Sequence, residues 1–204
     1  MVALREQKAI KPKPRKIPPH LIYEILDGQP IYYKGYREVI QNKKTAEEIM
    51  GASGIQSVIV FYLVSFIAKF INEEVYSVLT NEAGLHLNHR SNLSNDIAIY
   101  ETSVLTPDKI NRKYVDVPPK IAIEIDIDGD VEHLTELGYI YKKTHKMLAF
   151  GTQKVLWVLT AAQVVIVATN EKIETISWHK DIELMEGHHF NIGQYLDKKG
   201  IVVE

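Results

Sequence analysis

The chain has 204 residues, 46% of them hydrophobic and 25% charged, the balance of a soluble globular domain with short appendages, not of a disordered, collagen-like or coiled-coil chain. Cysteine is absent, which excludes disulfides, Cys-ligated zinc and Cys nucleophiles and suits a reducing cytosol. The net charge of −2 conceals an asymmetry: residues 1–20 hold six basic side chains against Glu6, a net of +5, so the remainder carries about −7.

The first segment, residues 1–19, reads as a basic arm punctuated by Pro12, Pro14, Pro18 and Pro19. It is either a solvated tail or a phosphate contact. The longest apolar run, 55–71, is interrupted by Gln56, Ser57, Ser65 and Lys69, so nothing reaches the ~18 residues of a membrane span. Arg5, Glu6 and Lys8 deny the start a signal-peptide core. The expectation is a cytoplasmic protein without membrane contact.

Residues 20–204 read as one α/β domain. Two strand-like runs, 21–26 and 31–33, flank Asp27-Gly28 and predict a hairpin, because Asp and Gly accept positive φ. Residues 44–50 resemble a short helix capped by Thr45 with Glu48 three positions on. Apolar residues spaced three and four apart predict a long helix over 54–74. Strands are expected at 75–79, 85–87 and 96–100.

The run 120–128 alternates: Ile121, Ile123, Ile125 and Ile127 share one face, and Ala122, Glu124, Asp126 and Asp128 the other. A second long helix is predicted over 132–150, stopped by Gly151. Its apolar stripe runs through Leu134, Leu137, Ile140, Tyr141, Thr144, Met147 and Leu148. Two near-continuously apolar strands, 155–159 and 164–168, suit a buried sheet. Strand-like segments at 175–178 and 182–184 and a helix near 192–198 complete the chain. The order suggests helices packed around a mixed central sheet.

Three acids stand in unusual settings. Asp96 opens a strand, and Glu124 and Asp126 lie on one strand face about 7 Å apart. A strand interior disfavours carboxylates, and an unpaired buried one is costly. These groups therefore either face water or collect a cation, for which oxygen donors suit Mg²⁺ or Mn²⁺. On the following helix Lys143 lies about 40° from the apolar stripe, so its stem can run along the sheet and carry its ammonium to the acids.

An acid at a strand start, a Glu on the next strand and a lysine-bearing helix resemble the restriction-endonuclease-like PD-(D/E)XK superfamily, and more closely the bacterial Uma-two endonuclease family. The segments carrying the resemblance are Leu21-Ile22-Tyr23-Glu24-Ile25-Leu26-Asp27-Gly28, Asn95-Asp96-Ile97-Ala98-Ile99, Pro118-Pro119-Lys120-Ile121-Ala122-Ile123-Glu124 and Tyr141-Lys142-Lys143-Thr144-His145-Lys146-Met147-Leu148. Phe150-Gly151 and Val155-Leu156-Trp157-Val158 extend it. It spans roughly residues 20–200.

The resemblance implies a restriction-endonuclease-like α/β core, a mixed central sheet flanked by helices, and metal-dependent hydrolysis of DNA phosphodiester bonds. Asp96 matches the Asp of the signature, with Asn95 in place of its Pro, and Glu124 matches the (D/E) position. Both would bind Mg²⁺ or Mn²⁺. The signature lysine position holds Asp126, and Lys143 would supply the cation instead. Asp126, Glu24 and Gln56 are accessory candidates, and Glu38 is a further acid of the same standing as Glu24. A homodimer would provide the second active site that duplex cleavage needs. The Asp126 departure and the acidic body favour the alternative, an inactive nuclease-derived module that binds nucleic acid or a partner.

Overall fold

The computed structural model describes residues 17–203. Of the arm expected over 1–19, residues 1–16 lie outside the described residues. Asp27 and Gly28, both at positive φ, turn β1 (Ile22–Leu26) back antiparallel onto β2 (Gln29–Tyr32). A five-residue α1 (Tyr36–Ile40) follows. The helix expected over 44–50 is absent. Glu48 does accept from the Thr45 amide, at 2.6 Å, but the segment closes as turns, and no turn of it packs a buried face.

The first long helix, α2 (Gly54–Ile67), begins with a capping box: Ser53 accepts from the Gln56 amide, and the Gln56 side chain accepts from the Ser53 amide. It ends seven residues earlier than its apolar spacing suggests. Just beyond it two amides tighten into i→i−3 bonds, Lys69 to Phe66 and Phe70 to Ile67. Phe70 and Ile71 still pack against the core, so the apolar pattern outlasts the helix.

The two strands expected at 75–79 and 85–87 are one, β3 (Tyr76–Asn88). It crosses Asn81 and Glu82 at positive φ by a bulge, where pairing skips from Thr80–Ile97 to Ala83–Asn95. β4 (Ser91–Glu101) returns antiparallel along it and starts well before Asp96. β5 (Ile121–Ile125) pairs with residues 97–99 of β4 and lies parallel to β6 (Lys154–Leu159). The crossover is α3 (Glu136–Phe150), capped by Thr135 and closed by Gly151. β7 (Val164–Thr169) and β8 (Ile173–Ser177) extend the sheet antiparallel.

The sheet order is β2-β1-β4-β5-β6-β7-β8, with β3 along the other edge of β4. One face packs on α2, on the small hairpin of β9 (Ile182–Met185) and β10 (His188–Phe190), and on α4 (Ile192–Lys199), around Ile97, Ile99, Ile123, Leu156 and Val165. The opposite face packs on α3, around Ala122, Val155, Trp157, Ile140 and Met147. No helix among the described residues is long and apolar enough to cross a membrane.

β1 meets β4 at Asn92, and β5 meets it only from Ile97 onward. With β3 occupying the far edge of β4, β1 and β5 share the near edge and fork apart between those points. Alternation slips at the fork as well: Leu93 packs on the α3 side, Ile97 on the α2 side. The backbone of Ser94–Asp96 thus lacks strand partners on that edge and has to be satisfied by side chains.

Candidate active site at a strand fork

Ser94 shows how the fork is filled. Its amide donates to Glu24 Oε1 of β1 at 2.9 Å, and its carbonyl accepts from the Lys143 ammonium of α3 at 2.9 Å. Lys143 also meets Glu24 Oε1 at 2.7 Å and Glu124 Oε2 at 3.0 Å. Its three N–H donors are thereby all engaged. The Lys143 side chain has 0% exposure, and Tyr139 and Trp157 present ring faces to it at 5.9 and 5.4 Å. Trp157 is itself held by its indole N–H donating to Thr144 at 2.9 Å.

Glu24 and Glu124 are as buried as the lysine between them. The Tyr139 hydroxyl donates to Glu24 Oε2 at 2.6 Å, and the Asn95 amide donates to Glu124 Oε1 at 2.6 Å. Asn95 therefore orients the strand glutamate. Asp96 lies one residue on. One of its oxygens accepts from the Ile125 amide at 2.7 Å, capping the β5 backbone where it leaves β4. The carboxylate lines a cavity of about 590 Å³ between α2 and the β3 bulge, with Gln56, Ser57, Thr80 and Glu82.

Gln56 donates to the Ile125 carbonyl at 2.8 Å and to Asp128 at 3.1 Å. Its place at the third residue of α2 follows from the capping box, which fixes its backbone and leaves its amide turned to the fork.

Asp126 departs from expectation. It adopts φ 59°, ends β5 and accepts from the Thr160 amide and hydroxyl at 2.8 and 2.7 Å. It does not share a strand face with Glu124, because β5 stops at Ile125, three residues short of the predicted run. The α3 stripe is also rotated from expectation. Leu137 is 71% exposed and Tyr141 lies outside, while Tyr139 and Lys143 are buried. Two buried glutamates that need a hydroxyl and an ammonium outweigh two apolar side chains in setting that rotation. Glu38 pairs with Lys44 at 2.7 Å on the surface, away from the fork. Lys142 and Lys146 both pair with Asp27.

The electrostatics follow from one cation among several acids. Burial, with Asp128 and Glu82 adding to it and the Ile125 amide and Lys143 opposing, raises the Asp96 carboxyl to about 6. Burial, with Asp96 and Glu24 adding and Lys143 opposing, lifts Glu124 above the ordinary carboxylate range. Burial lifts Glu82 too, with Asp128 and Glu24 contributing. Burial works against the Lys143 ammonium, but Glu124 and Glu24 outweigh it and leave the group charged.

A divalent cation fits this donor set. Asp96 keeps one oxygen without a protein partner among the described residues, Glu124 stands on the adjacent strand, and the Ile125 carbonyl that follows it accepts from Gln56. No cluster of three or more Asp, Glu or His side chains arranged to hold a metal occurs among the described residues. Mg²⁺ and Mn²⁺ accept one or two carboxylates completed by water, so two acids and a carbonyl match their demands. The raised Asp96 and Glu124 carboxyls are groups that such a charge would bring back to the ionised form.

Sequence reasoning passed over Tyr139, Ser94, Glu82 and Asp128. Tyr139 had a signal: it lies four residues before Lys143, one turn along the same helix face. Ser94 had none, because its role arises from the fork.

No protein-family profile matches the chain, and no curated protein matches it. Among solved structures it is similar to a protein from Anabaena variabilis described as a "putative nuclease belonging to DUF820", at 15% sequence identity and a TM-score of 0.61, over 85% of this chain and 89% of that one. At that identity the likeness establishes the fold: a large mixed central sheet flanked by helices, shared with that protein.

Proposed function

We propose that this chain is a nuclease, a Mg²⁺- or Mn²⁺-dependent endonuclease that hydrolyses phosphodiester bonds in DNA. The observation that carries the reading is the buried Glu124 with the Lys143 ammonium 3.0 Å away, beside Asp96 of the adjacent strand, whose carboxylate caps the Ile125 amide next to Glu124. The described likeness to a protein named as a nuclease supports it at the level of fold. Asp96, Glu124 and the Ile125 carbonyl would hold the cation, which when bound polarises a phosphate oxygen and lowers the pKa of the attacking water.

The chain's own residues set the rest. Lys143 neutralises one of the two buried glutamates and favours the ionised form of Glu124. Asn95 and Tyr139 fix the carboxylates on either side of it. Gln56 orients the Ile125 carbonyl. The Asp96 cavity is the way in for the phosphate. The reading includes a cytoplasmic site of action and a homodimer that would bring two such centres to opposite strands.

Calorimetric titration with Mn²⁺ tests it, alongside nicking of supercoiled plasmid. Wild type is expected to bind Mn²⁺ and to nick. Asp96→Ala is expected to lose both. Mn²⁺ binding without nicking would leave a nuclease-derived binding module as the function, and nicking that survives Asp96→Ala would overturn the assignment of Asp96 to the metal.

A further inference from the structure

A second cavity, of about 600 Å³, abuts the fork on the β1 side, with Glu24 in its wall. Its outer wall is Tyr114, which is 57% exposed. The loop that carries Tyr114 is pinned: the Val115 amide donates to the Gly84 carbonyl at 2.9 Å, and the His86 amide to the Val115 carbonyl at 2.8 Å.

A Cβ on Gly84 would stand 2.5, 2.6 and 2.7 Å from three consecutive atoms of the Tyr114 ring. Near-equal distances to three neighbouring ring atoms mean approach to the ring's face, since an edge-on approach would leave the flanking atoms farther away. Glycine at 84 therefore lets the ring lie flat on the β3 backbone, leaving its other face to the cavity. Around that face stand Tyr23, the hydrogen-bonded pair His86 and Asn92, and Lys113. Lys113 makes no ion pair with any described residue.

We infer that Tyr114 is a stacking platform for an unpaired base of the substrate, so that the chain acts on single-stranded or locally opened nucleic acid in preference to intact duplex. The inference rests on the nuclease reading for the identity of the polymer. A base inside a duplex has both faces covered by its neighbours, and only an unpaired or extruded one offers a face to an aromatic ring. His86 and Asn92 lie where the base edge would fall, and Lys113 supplies a cation for a flanking phosphate on an otherwise acidic body. The cavity is of the size that takes a ligand of this class.

Fluorescence anisotropy tests the inference, with Ca²⁺ replacing Mg²⁺ and labelled strands of roughly 12 nucleotides, within the site sizes of such binders. Wild type is expected to bind the single strand more tightly than the blunt duplex of the same sequence. Tyr114→Ala should weaken single-strand binding about tenfold, as loss of one stacked base does, and Tyr114→Phe should retain it. Gly84→Ala, which displaces the ring without removing it, should follow Tyr114→Ala. A strand of abasic sites should bind weakly to wild type and be indifferent to Tyr114→Ala.

Equal or tighter binding of duplex, or an unchanged Tyr114→Ala, overturns the inference. So does a mononucleotide that competes as well as the strand, which would assign the pocket to a free nucleotide. Mn²⁺ titration separates the two proposals. If Tyr114→Ala binds Mn²⁺ and nicks as wild type does while strand preference is absent, this inference alone falls. If wild type binds no Mn²⁺ but prefers single strands through Tyr114, the nuclease reading falls and the platform stands.

Discussion

Glu24, on the first strand, and Lys143, 119 residues later on α3, form an ion pair 2.7 Å long with no side-chain exposure at either end. The pair closes the gap where β1 and β5 diverge, and Glu124 shares the same ammonium from the other side of that gap. Two carboxylates and one cation in a dry interior make an uneven balance, which the Tyr139 hydroxyl, the Asn95 amide and the Ser94 backbone partly offset through hydrogen bonds.

Removing the cation alone should therefore be costly. Lys143→Met leaves two buried glutamates facing each other, and breaking a buried pair in this way costs about 3–5 kcal/mol. Urea denaturation should show that loss as a lowered midpoint with an unchanged slope. Adding Glu24→Gln to Lys143→Met should restore a large part of it, because the second change removes one of the stranded charges. A double variant no more stable than Lys143→Met would mean that the ammonium is held by Glu124 alone.

Tyr139 should behave as a member of the same network. Tyr139→Phe keeps the ring packed on Trp157 and deletes only the hydroxyl that donates to Glu24. Leaving a buried charged acceptor short of one donor costs about 1–3 kcal/mol. In the Glu24→Gln background the same change should cost measurably less, since the two side chains share one hydrogen bond. Equal costs in both backgrounds would sever Tyr139 from the ion pair.

Gln56 ties α2 to the end of β5. Gln56→Leu leaves the Ile125 carbonyl and one Asp128 oxygen without the donor they share, with a stability loss of about 1–3 kcal/mol expected by denaturation. Thermal and urea unfolding of the variant that match wild type would show that water replaces the amide fully.

The residues of the fork differ in how readable they were. Glu124 announced itself as a carboxylate in an isoleucine strand, and Asp96 by its position before Ile97-Ala98-Ile99. Lys143 was legible only as a helix face close to the core. Its full burial follows from Glu24, a residue on a different strand whose role no local pattern encodes. Asp126 misled, since alternation continues through it in the sequence but a left-handed backbone ends the strand there. The β3 bulge at Asn81 and Glu82 looked like a loop between two strands, because a bulge and a turn draw on the same residue types. The sheet order was legible as a class, whereas the fork depends on which strands share an edge of β4, a long-range matter that hydrophobic periodicity does not carry.

The Asp96 carboxyl sets a pH dependence with a definite sign. It titrates near 3.8 in the unfolded chain and about 6 in the folded one, raised chiefly by burial. Between those values the folded state holds a proton that the unfolded state has lost, so stability should fall as the pH rises from about 4 to 6, by up to ~3 kcal/mol from this group. Asp96→Asn removes the titrating group, so its stability should vary less over that range, and it should exceed wild type above pH 6 in metal-free buffer. Mn²⁺ reverses the preference, because it binds the ionised form. Its affinity for wild type should drop by roughly tenfold or more per pH unit below 6, where each ion bound displaces the Asp96 proton and any held by Glu124. Urea denaturation of both proteins at pH 4.5 and 7, with and without Mn²⁺, reads both effects. An Asp96→Asn variant less stable than wild type at pH 7 without metal would show that the Ile125 amide, and not desolvation, governs this carboxylate.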